Sequence, residues 1–365
     1  MSGTFEENAD GSICFSNDET FFLENGQSLP QLTLVYETWG KLNDDKSNVI
    51  MVHHALSVGA HACKSDKNPG DGWWHNIIGP DLAIDTSQYF VICVNNLGSC
   101  FGSSGPLSIN PETRKPFRGD FPQITIGDMV NSQKLLLDNL EISHLYAVAG
   151  SSMGAMLSLA WGIDYPDSVS NLILISTGYK AYPANIANRS IQHQAIRMDP
   201  EWQGGNYQSN EKLSGFKLAR KLGLYTYRNS SEWNRRFNSH DSDSTKDTDI
   251  IDYMNYNAEK FSGYFDANSY LILTHSMDLF DVTKNFVSIE QCFSKITART
   301  LVVSVESDIL FTPQQQEELY AALQEGGVDC QYINHHSQYG HDAFLVEKEP
   351  FTQYITDFLT EPAPA

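Results

Sequence analysis

The amino-acid sequence predicts an α/β fold, in which a mostly parallel β-sheet carries helices on both faces and an inserted helical lid. Three observations lead to this prediction. Short apolar runs typical of strands alternate with helical patterns, which favours right-handed βαβ units and a parallel sheet. A strand pattern at residues 145–149 passes through a glycine-containing turn directly into a helical pattern. Residues 180–298 show helical patterns and no clear buried strand.

The strands can be placed from their hydrophobic patterns. Residues 32–39 alternate apolar and polar side chains, as in a strand near a sheet edge. Residues 48–54 and 89–95 are continuous apolar runs, as expected where helices cover both faces of a parallel sheet. The remaining predicted strands span residues 145–149, 169–176, 299–305 and 328–334.

Helical patterns follow most of these strands. They cover residues 126–140, the stretch that begins at residue 153, residues 313–324 and the closing segment 343–359. The Gly/Ser/Pro-rich loop 97–116 is too long to be only a connector, which suggests a functional role.

The chain therefore divides into two predicted domains. Residues 1–179 and 299–365 form the α/β core, and residues 180–298 form the lid. Ligands of open α/β sheets bind at the carboxyl ends of the strands, so helices placed there would cover the binding site. Within the lid, the acidic, low-complexity segment 238–249 is predicted to be an exposed loop.

Composition narrows the classes of partner and the compartment. A net charge of −21 over 365 residues argues against nucleic acid or an anionic membrane as the main partner. No apolar run approaches the roughly 20 residues needed to span a bilayer. Residues 1–11 are polar and acidic, without the positively charged and apolar regions of a secretory signal. The six cysteines are scattered without a disulfide framework, so we expect free thiols and a cytoplasmic location. The expected partners are small molecules, with no nucleic acid and no membrane.

The strand–turn–helix junction carries the strongest chemical signal. Gly150-Ser151-Ser152-Met153-Gly154 has the Gly-x-Ser-x-Gly pattern, and its position between a buried strand and a helix is that of the nucleophile elbow of the α/β-hydrolase fold. The same pattern also arises by chance in Gly/Ser-rich loops, but the structural context favours the elbow. We therefore predict that Ser152 is a nucleophile.

A serine nucleophile needs a base, and the base needs an orienting acid. In this fold the partners follow the serine in the order acid, then histidine. Asp308 follows the strand at 299–305, and His341 lies in a glycine-flanked loop before the last helix. The alternatives are Glu306 for the acid, and for histidine the pair His335 and His336.

Two backbone N–H groups should stabilise the oxyanion. One belongs to Met153, directly after the nucleophile, and the other to Leu56 in the loop after the early strand. A metal is not expected, because the histidine pairs at 53–54 and 335–336 lack ligand spacing and there is no His-Glu-x-x-His. No nucleotide-binding glycine motif occurs either, so no cofactor is expected.

Several further stretches are distinctive in this order along the chain. They read VYETWG at 35–40, GWW at 72–74, VNNLGSC at 94–100, DPEWQGG at 199–205 and GHDAF at 340–344. Together with the elbow they resemble the homoserine O-acetyltransferase family, which includes serine and homoserine O-succinyltransferases. The resemblance covers nearly the whole chain.

The resemblance implies roles for particular residues. It supports Ser152, Asp308 and His341 as the triad, and it implies that Arg220, Tyr227 and Asp342 hold an amino-acid acceptor. An arginine fork suits a carboxylate, and an aspartate suits an ammonium group. Without the resemblance, Arg220 would be read as a surface ion pair and Tyr227 as a core aromatic. The resemblance also implies an acyl-CoA co-substrate and a homodimer.

Some motifs depart from the acetyltransferase pattern. The family usually has Gly-Gly-Ser-Met-Gly-Gly at the elbow and Ala-Leu-Thr-Gly-Asp in the early loop, whereas residues 150–155 read GSSMGA and residues 55–59 read ALSVG. Residues 188–192 (NRSIQ) look closer to the serine O-succinyltransferase branch and to hydrolase-like relatives. These departures leave the nucleophile chemistry unchanged, and they leave open whether the acyl group is acetyl or succinyl and whether the acceptor is serine or homoserine.

The sequence thus predicts acyl transfer through an acyl-serine intermediate. The main alternative is a carboxylesterase with the same triad and water as acceptor, because relatives within one fold often exchange acceptors. A non-catalytic binding protein is disfavoured, because all three triad positions are filled.

Overall fold

The computed structural model describes residues 3–237 and 250–360, and the predicted acidic loop 238–249 lies outside the described residues. Among these residues, nine strands form the main sheet. In chain order they are β1 (Gly3–Glu7), β2 (Ile13–Asn17), β3 (Leu32–Trp39), β4 (Val49–His53), β5 (Phe90–Val94), β6 (Leu145–Ser151), β7 (Val169–Ile175), β8 (Arg299–Val305) and β9 (Cys330–His335).

The sheet order is β1-β2-β3-β5-β4-β6-β7-β8-β9. The six strands from β5 to β9 in this order pair in parallel, and β1, β2 and β3 extend the sheet antiparallel on one side. The carboxyl ends of the parallel strands therefore meet at one edge, where residues that follow different strands can form a common site.

Helices connect and cover the sheet. They are α1 (Ile126–Asn139), α2 (Met153–Asp164), α3 (Pro183–Arg197), α4 (Ser214–Tyr227), α5 (Ser230–Phe237), α6 (Ile250–Ser262), α7 (Ala267–Asp278), α8 (Ile289–Phe293), α9 (Pro313–Glu325), α10 (Ala343–Val346) and α11 (Lys348–Thr360). Three pairs of two-residue strands lie in the connecting loops.

Two apolar layers cover the two faces of the sheet. Successive residues of a strand point to opposite faces, and in β4 Val49 and Met51 belong to one buried cluster whereas Ile50 and Val52 belong to the other. Helices α1 and α2 pack into the first layer and helix α11 into the second. The predicted α/β fold with helices on both faces is confirmed.

The amino-terminal end differs from the prediction. No strand is predicted before residue 32, but the first residues form the β1–β2 hairpin, which pairs with β3, so β3 is the third strand from the edge. Four of the five β1 residues are exposed, and an exposed edge strand has little of the apolar pattern by which strands are recognised.

The closing helix is also divided into two parts. The sequence predicts one helix over residues 343–359, but α10 ends at Val346 and α11 begins at Lys348. Pro350 explains the break, because proline is tolerated in the first turn of a helix and disrupts a helix interior. Between these helices, Glu347 has φ −98° and ψ 83°, which is outside the helical region.

The predicted insertion lies between β7 and β8. The described elements of this segment are helices α3 to α8 together with short 3₁₀ turns and one isolated bridge from Lys180 to Asp281. The domain limits at 180 and 298 remain a prediction. No helix within the described residues is both long and apolar enough to span a bilayer.

Candidate active site

The elbow is a sharp corner between β6 and α2. Ser152 lies between them with φ 55° and ψ −124°, a backbone conformation that L-residues rarely adopt. A Cβ at Gly150 would overlap the backbone of Gly154, and a Cβ at Gly154 would overlap the carbonyl of His53. The backbone N–H of Ser152 donates to the carbonyl of Ile175 in β7 at 2.9 Å. The two glycines and this bond hold the corner in place.

Asp308 and His341 form a buried pair. Asp308 follows β8, and its Oδ2 lies 2.7 Å from Nδ1 of His341. The other carboxylate oxygen accepts hydrogen bonds from the backbone N–H groups of Leu310 at 2.8 Å and Phe311 at 2.9 Å. Because a carboxylate accepts, Nδ1 of His341 carries the hydrogen, and Nε2 of the neutral ring can act as a base.

The surroundings of His341 shift its protonation. Burial among Tyr227, Phe311 and Phe344 acts to lower the pKa of the imidazole. The charge of Asp308, its hydrogen bond and the charge of Asp342 act in the opposite direction and prevail, so the pKa of His341 is raised above its usual value. At a given pH, the protonated fraction of His341 is therefore larger than that of a free histidine.

One pocket brings the predicted groups together. It contains about 600 Å³ of space, part of it open to solvent, and Leu56, Ser152 and His341 all lie in its wall. Ser152 and His341 are 6 % and 4 % exposed, so chemistry here would be largely shielded from water. Their roles as nucleophile and base remain predictions.

The alternative triad members are engaged elsewhere. Glu306 pairs with His336 at the surface, where the His336 side chain is 89 % exposed. The ring of His335 lies 3.1 Å from the hydroxyl of Tyr354 and 3.0 Å from the carboxylate of Glu347. These contacts favour Asp308 and His341 over the alternatives.

The loop that carries Leu56 is held by a neutral histidine. Nδ1 of His54 donates to the carbonyl of Ala55 at 2.8 Å, and Nε2 accepts from the backbone N–H of Asn96 at 3.0 Å. Burial lowers the pKa of His54 to about 4, so the ring stays uncharged at neutral pH. His54 therefore fixes the backbone beside Leu56, which lines the pocket.

Met153 is the first residue of α2, and the first N–H groups of a helix have no partner within the helix. The N–H groups of Leu56 and Met153 remain the predicted oxyanion donors. Within the described residues, no group of three or more His, Cys, Asp or Glu side chains is arranged to hold a metal ion.

The three predicted acceptor-binding residues occupy different places. Tyr227 and Asp342 line the pocket. Arg220 is not part of the wall formed by the described residues; its guanidinium lies 5.4 Å from the ring centre of Tyr227 and 4.1 Å from that of Phe261. Asp342 is engaged by Arg228, whose Nε is 2.9 Å from its Oδ2. The binding roles of all three remain predictions.

Arg189 is a further pocket residue, for which no role is predicted from the sequence. It is 5 % exposed, lines the pocket and forms an ion pair through Nε with Asp278 of α7. Its Nη2 is buried and has no hydrogen-bond partner among the described residues. A buried guanidinium with an unused donor is suited to a carboxylate or another anion. In the sequence Arg189 looks like a surface arginine. Its burial becomes evident only from the long-range packing of α3 against α7.

Comparisons with known proteins show which family the chain resembles over most of its length. A family model described as the alpha/beta hydrolase fold matches residues 48–348. The chain is 42 % identical over 348 residues to a homoserine O-acetyltransferase of Methanococcus vannielii, covering 93 % of this chain and 70 % of the relative. It is also 42 % identical over 345 residues to a serine O-succinyltransferase of Litchfieldella anticariensis, covering 92 % and 94 %.

A solved structure adds a relative with a different name. The chain resembles the crystal structure of esterase E22 with a TM-score of 0.86 and 30 % sequence identity, covering 98 % of this chain and all of the other. Similar architecture and similar sequence are thus found in proteins named as transferases and as an esterase.

Proposed function

The chain belongs to the homoserine O-acetyltransferase family of α/β hydrolases, and from this we propose that it transfers an acyl group from acyl-CoA to the hydroxyl of serine or homoserine. The two relatives of 42 % identity reported above are named as acyltransferases. One observation carries the mechanistic part of the proposal: the Asp308–His341 pair opens into the same pocket as the strained corner at Ser152.

The proposed reaction has two halves. His341 takes the proton of the Ser152 hydroxyl, the oxygen attacks the thioester carbonyl, and the N–H groups of Leu56 and Met153 bind the oxyanion. The carbon–sulfur bond breaks, and the sulfur leaves with the proton from His341. His341 then takes the proton of the acceptor hydroxyl, which attacks the acyl-serine, and the proton returns to Ser152. The O-acyl amino acid is released.

The charges in and around the pocket fit an amino-acid acceptor. Asp342 can attract an ammonium group, although Arg228 already contacts one of its oxygens. Arg220 stacks on Tyr227 behind the wall, where it can strengthen the positive field felt by a carboxylate. The acceptor carboxylate and ammonium would thus meet groups of opposite charge.

Arg189 bears on the choice of acyl group. An acetyl group has no charge for a buried guanidinium to bind, whereas a succinyl group ends in a carboxylate. The unused Nη2 donor of Arg189 therefore favours succinyl over acetyl.

A carboxylesterase is the second candidate. The similarity to esterase E22 favours it, because the same nucleophile, base and oxyanion groups would hydrolyse an ester if water replaced the amino acid. The two functions differ only in the acceptor of the second half-reaction.

The test follows the acyl group. Purified protein is mixed with succinyl-CoA or acetyl-CoA, with and without serine or homoserine, and free thiol, O-acyl product and free acid are measured. We expect a burst of thiol, an acyl adduct on Ser152 by mass spectrometry and an excess of O-acyl amino acid over free acid. Free acid as the main product in saturating acceptor would favour the esterase, and an unchanged burst in Ser152→Ala would end the mechanism.

The expected cytoplasmic location and homodimer remain predictions. Sedimentation of the purified chain tests the second.

A further inference from the structure

A second cavity lies on the far side of α7 from the candidate active site. It contains about 610 Å³, part of it open to solvent, which is comparable to the first pocket. Its wall comes from the loop before α1, the end of α3, the turn after α3 and the first half of α7. The residues that matter here are Arg118, Gln123, Arg197, Trp202, Gly204 and Asn268.

The charge of this cavity is opposite to that of the chain. Arg118 and Arg197 are the only charged side chains that the described residues contribute to its wall, whereas the whole chain carries a net charge of −21. Neither arginine has an ion-pair partner within the described residues. Nη1 of Arg118 donates to the carbonyl of Tyr207 at 2.8 Å, which holds that guanidinium in place. Arg197 is exposed, and together the two guanidiniums, with no carboxylate in the described wall, suit a phosphate group.

An aromatic ring is held beside these cations. The indole N–H of Trp202 donates to Oδ1 of Asn268 at 3.0 Å, and Nδ2 of Asn268 donates to the carbonyl of Gly205 at 2.8 Å. Trp202 is half-buried, so its orientation is set while part of its surface remains open. Rings of this kind are platforms on which purine bases stack.

The backbone around the cavity is unusually constrained. Arg118 has φ 50°, and Gln203 and Gly204, which follow Trp202, have φ 49° and 65°. A Cβ at Gly119 would overlap the carbonyl of Gly204, so the two loops cross in direct contact. Positive φ is a strained conformation at the non-glycine residues Arg118 and Gln203, and strained residues cluster at ligand sites. The crossing brings Arg118 and Trp202 to the same cavity.

From these features we infer that this cavity is a second ligand site, which binds a phosphorylated purine nucleoside. The two guanidiniums bind the phosphate groups and the Trp202 ring stacks on the base, while the Gln123 side chain lies in the same wall. Two kinds of ligand carry such a group. The first source is a free adenine nucleotide, and the second is the phosphoadenosine end of a CoA thioester. The second source rests on the function proposed above.

Helix α7 lies between the two sites and contributes residues to both. Tyr270, Thr274 and Met277 line the active-site pocket, and Asn268, Leu271 and Ile272 line the second cavity. At about 3.6 residues per turn these sets lie on nearly opposite faces of a helix roughly 10 Å wide. A free nucleotide would therefore bind without entering the reaction centre, and a CoA thioester would have to pass around α7 to occupy both.

Calorimetric titration with adenosine 3′,5′-bisphosphate tests the site without any turnover. We expect saturable binding to the wild-type chain and an affinity lower by about tenfold or more in Arg118→Gln/Arg197→Gln, because charge-assisted hydrogen bonds are lost. Arg114→Gln is the matched control: Arg114 is exposed, precedes Arg118 in the same loop, has a similar φ of 56° and does not line the cavity. Absence of binding to the wild type, or equal affinity in the double variant, would overturn the inference.

Kinetics of the same variants identify the source. A KM raised for acyl-CoA but not for acyl-pantetheine supports the CoA end as ligand, and unchanged KM values with nucleotide binding lost support a free nucleotide. An equal loss of rate with both thioesters would mean that the arginines maintain the active site, which contradicts the inference. Nucleotide binding by a chain that transfers no acyl group would contradict only the proposed function.

Discussion

At the scale of single residues, the protonation of His341 controls the proposed chemistry. Only the neutral ring can take the Ser152 proton, and the Asp308 and Asp342 carboxylates raise the pKa of the ring against the effect of burial. We expect kcat/KM to fall as the pH falls through the raised pKa, with the midpoint above the ordinary value of 6.5.

The protonated ring of His341 is favoured in the folded chain, so its contribution to stability is full below pH 6.5 and is lost as the pH rises through the folded pKa.

Replacing Asp308 by asparagine should separate these effects. Asp308→Asn removes the charge and leaves the burial, so the midpoint of the acid limb should move to lower pH. The amide no longer fixes the tautomer of His341, and kcat should drop by up to about 10⁴-fold. Glu306→Gln, at the exposed alternative position, is the control and should leave the pH profile unchanged. The opposite pattern, with Glu306→Gln inactive and Asp308→Asn active, would exclude Asp308 as the acid.

Arg189 should decide between acyl donors. Arg189→Met alone would leave Asp278 buried without its partner, so the informative variant is Arg189→Met/Asp278→Asn, which removes both charges. We expect kcat/KM for succinyl-CoA to fall by at least about tenfold, and that for acetyl-CoA to change much less. Asp278→Asn is the control, because it keeps the guanidinium. Equal losses for both donors would show that Arg189 does not contact the acyl group.

At the scale of elements, the elbow depends on the absence of side chains at its glycines. Gly154→Ala would place a Cβ against the carbonyl of His53 in β4, so helix α2 would have to move away from the sheet. We expect a loss of about 1–3 kcal/mol in unfolding free energy, measured by denaturant titration, together with loss of acylation. Gly70→Ala is the control, since its nearest neighbours would be 3.7 and 3.8 Å from the new carbon. An unchanged midpoint for Gly154→Ala would contradict the close packing of α2 on β4.

The elements also show where sequence reasoning succeeds. Strands β3 and β8 begin and end where the sequence predicts, because their hydrophobic patterns mark them as strands. Strand β1 was missed because its side chains are mostly exposed. The pairing of Asp308 with His341 could be anticipated, because each follows a strand and parallel strands end at one edge. The position of Arg189 could not, since it depends on how the inserted helices pack on each other.

At the scale of the whole molecule, the six cysteines report on the integrity of the fold. All six are free thiols, as the sequence predicts. Burial raises the pKa of Cys63, Cys100 and Cys292 to about 12 and that of Cys330 to about 11, and it also raises the pKa of Cys93 well above its ordinary value. Since the thiolate is the reactive form, these five should resist modification while the chain is folded.

Thiol labelling should therefore follow unfolding. At neutral pH we expect an alkylating reagent to modify the three buried thiols, Cys63, Cys93 and Cys292, only as denaturant unfolds the chain, with the same midpoint as the circular dichroism signal. Cys14, in the amino-terminal hairpin, serves as the internal comparison. Rapid labelling of Cys63 or Cys93 in the native chain would show that the covering loops open on their own.

The proposed nucleophile Ser152 lies in a backbone conformation that reduces the stability of the folded chain. Its positive φ is a conformation in which glycine is relaxed and every other residue is held under tension. Ser152→Gly should therefore melt at a higher temperature than Ser152→Ala, by the equivalent of about 1 kcal/mol, although both lack the hydroxyl. Equal melting temperatures would show that the corner is not under tension. If the difference is found, glycine at this position gives a more stable but inactive protein. Selection for turnover, and not for stability, would then be what keeps a serine at this position.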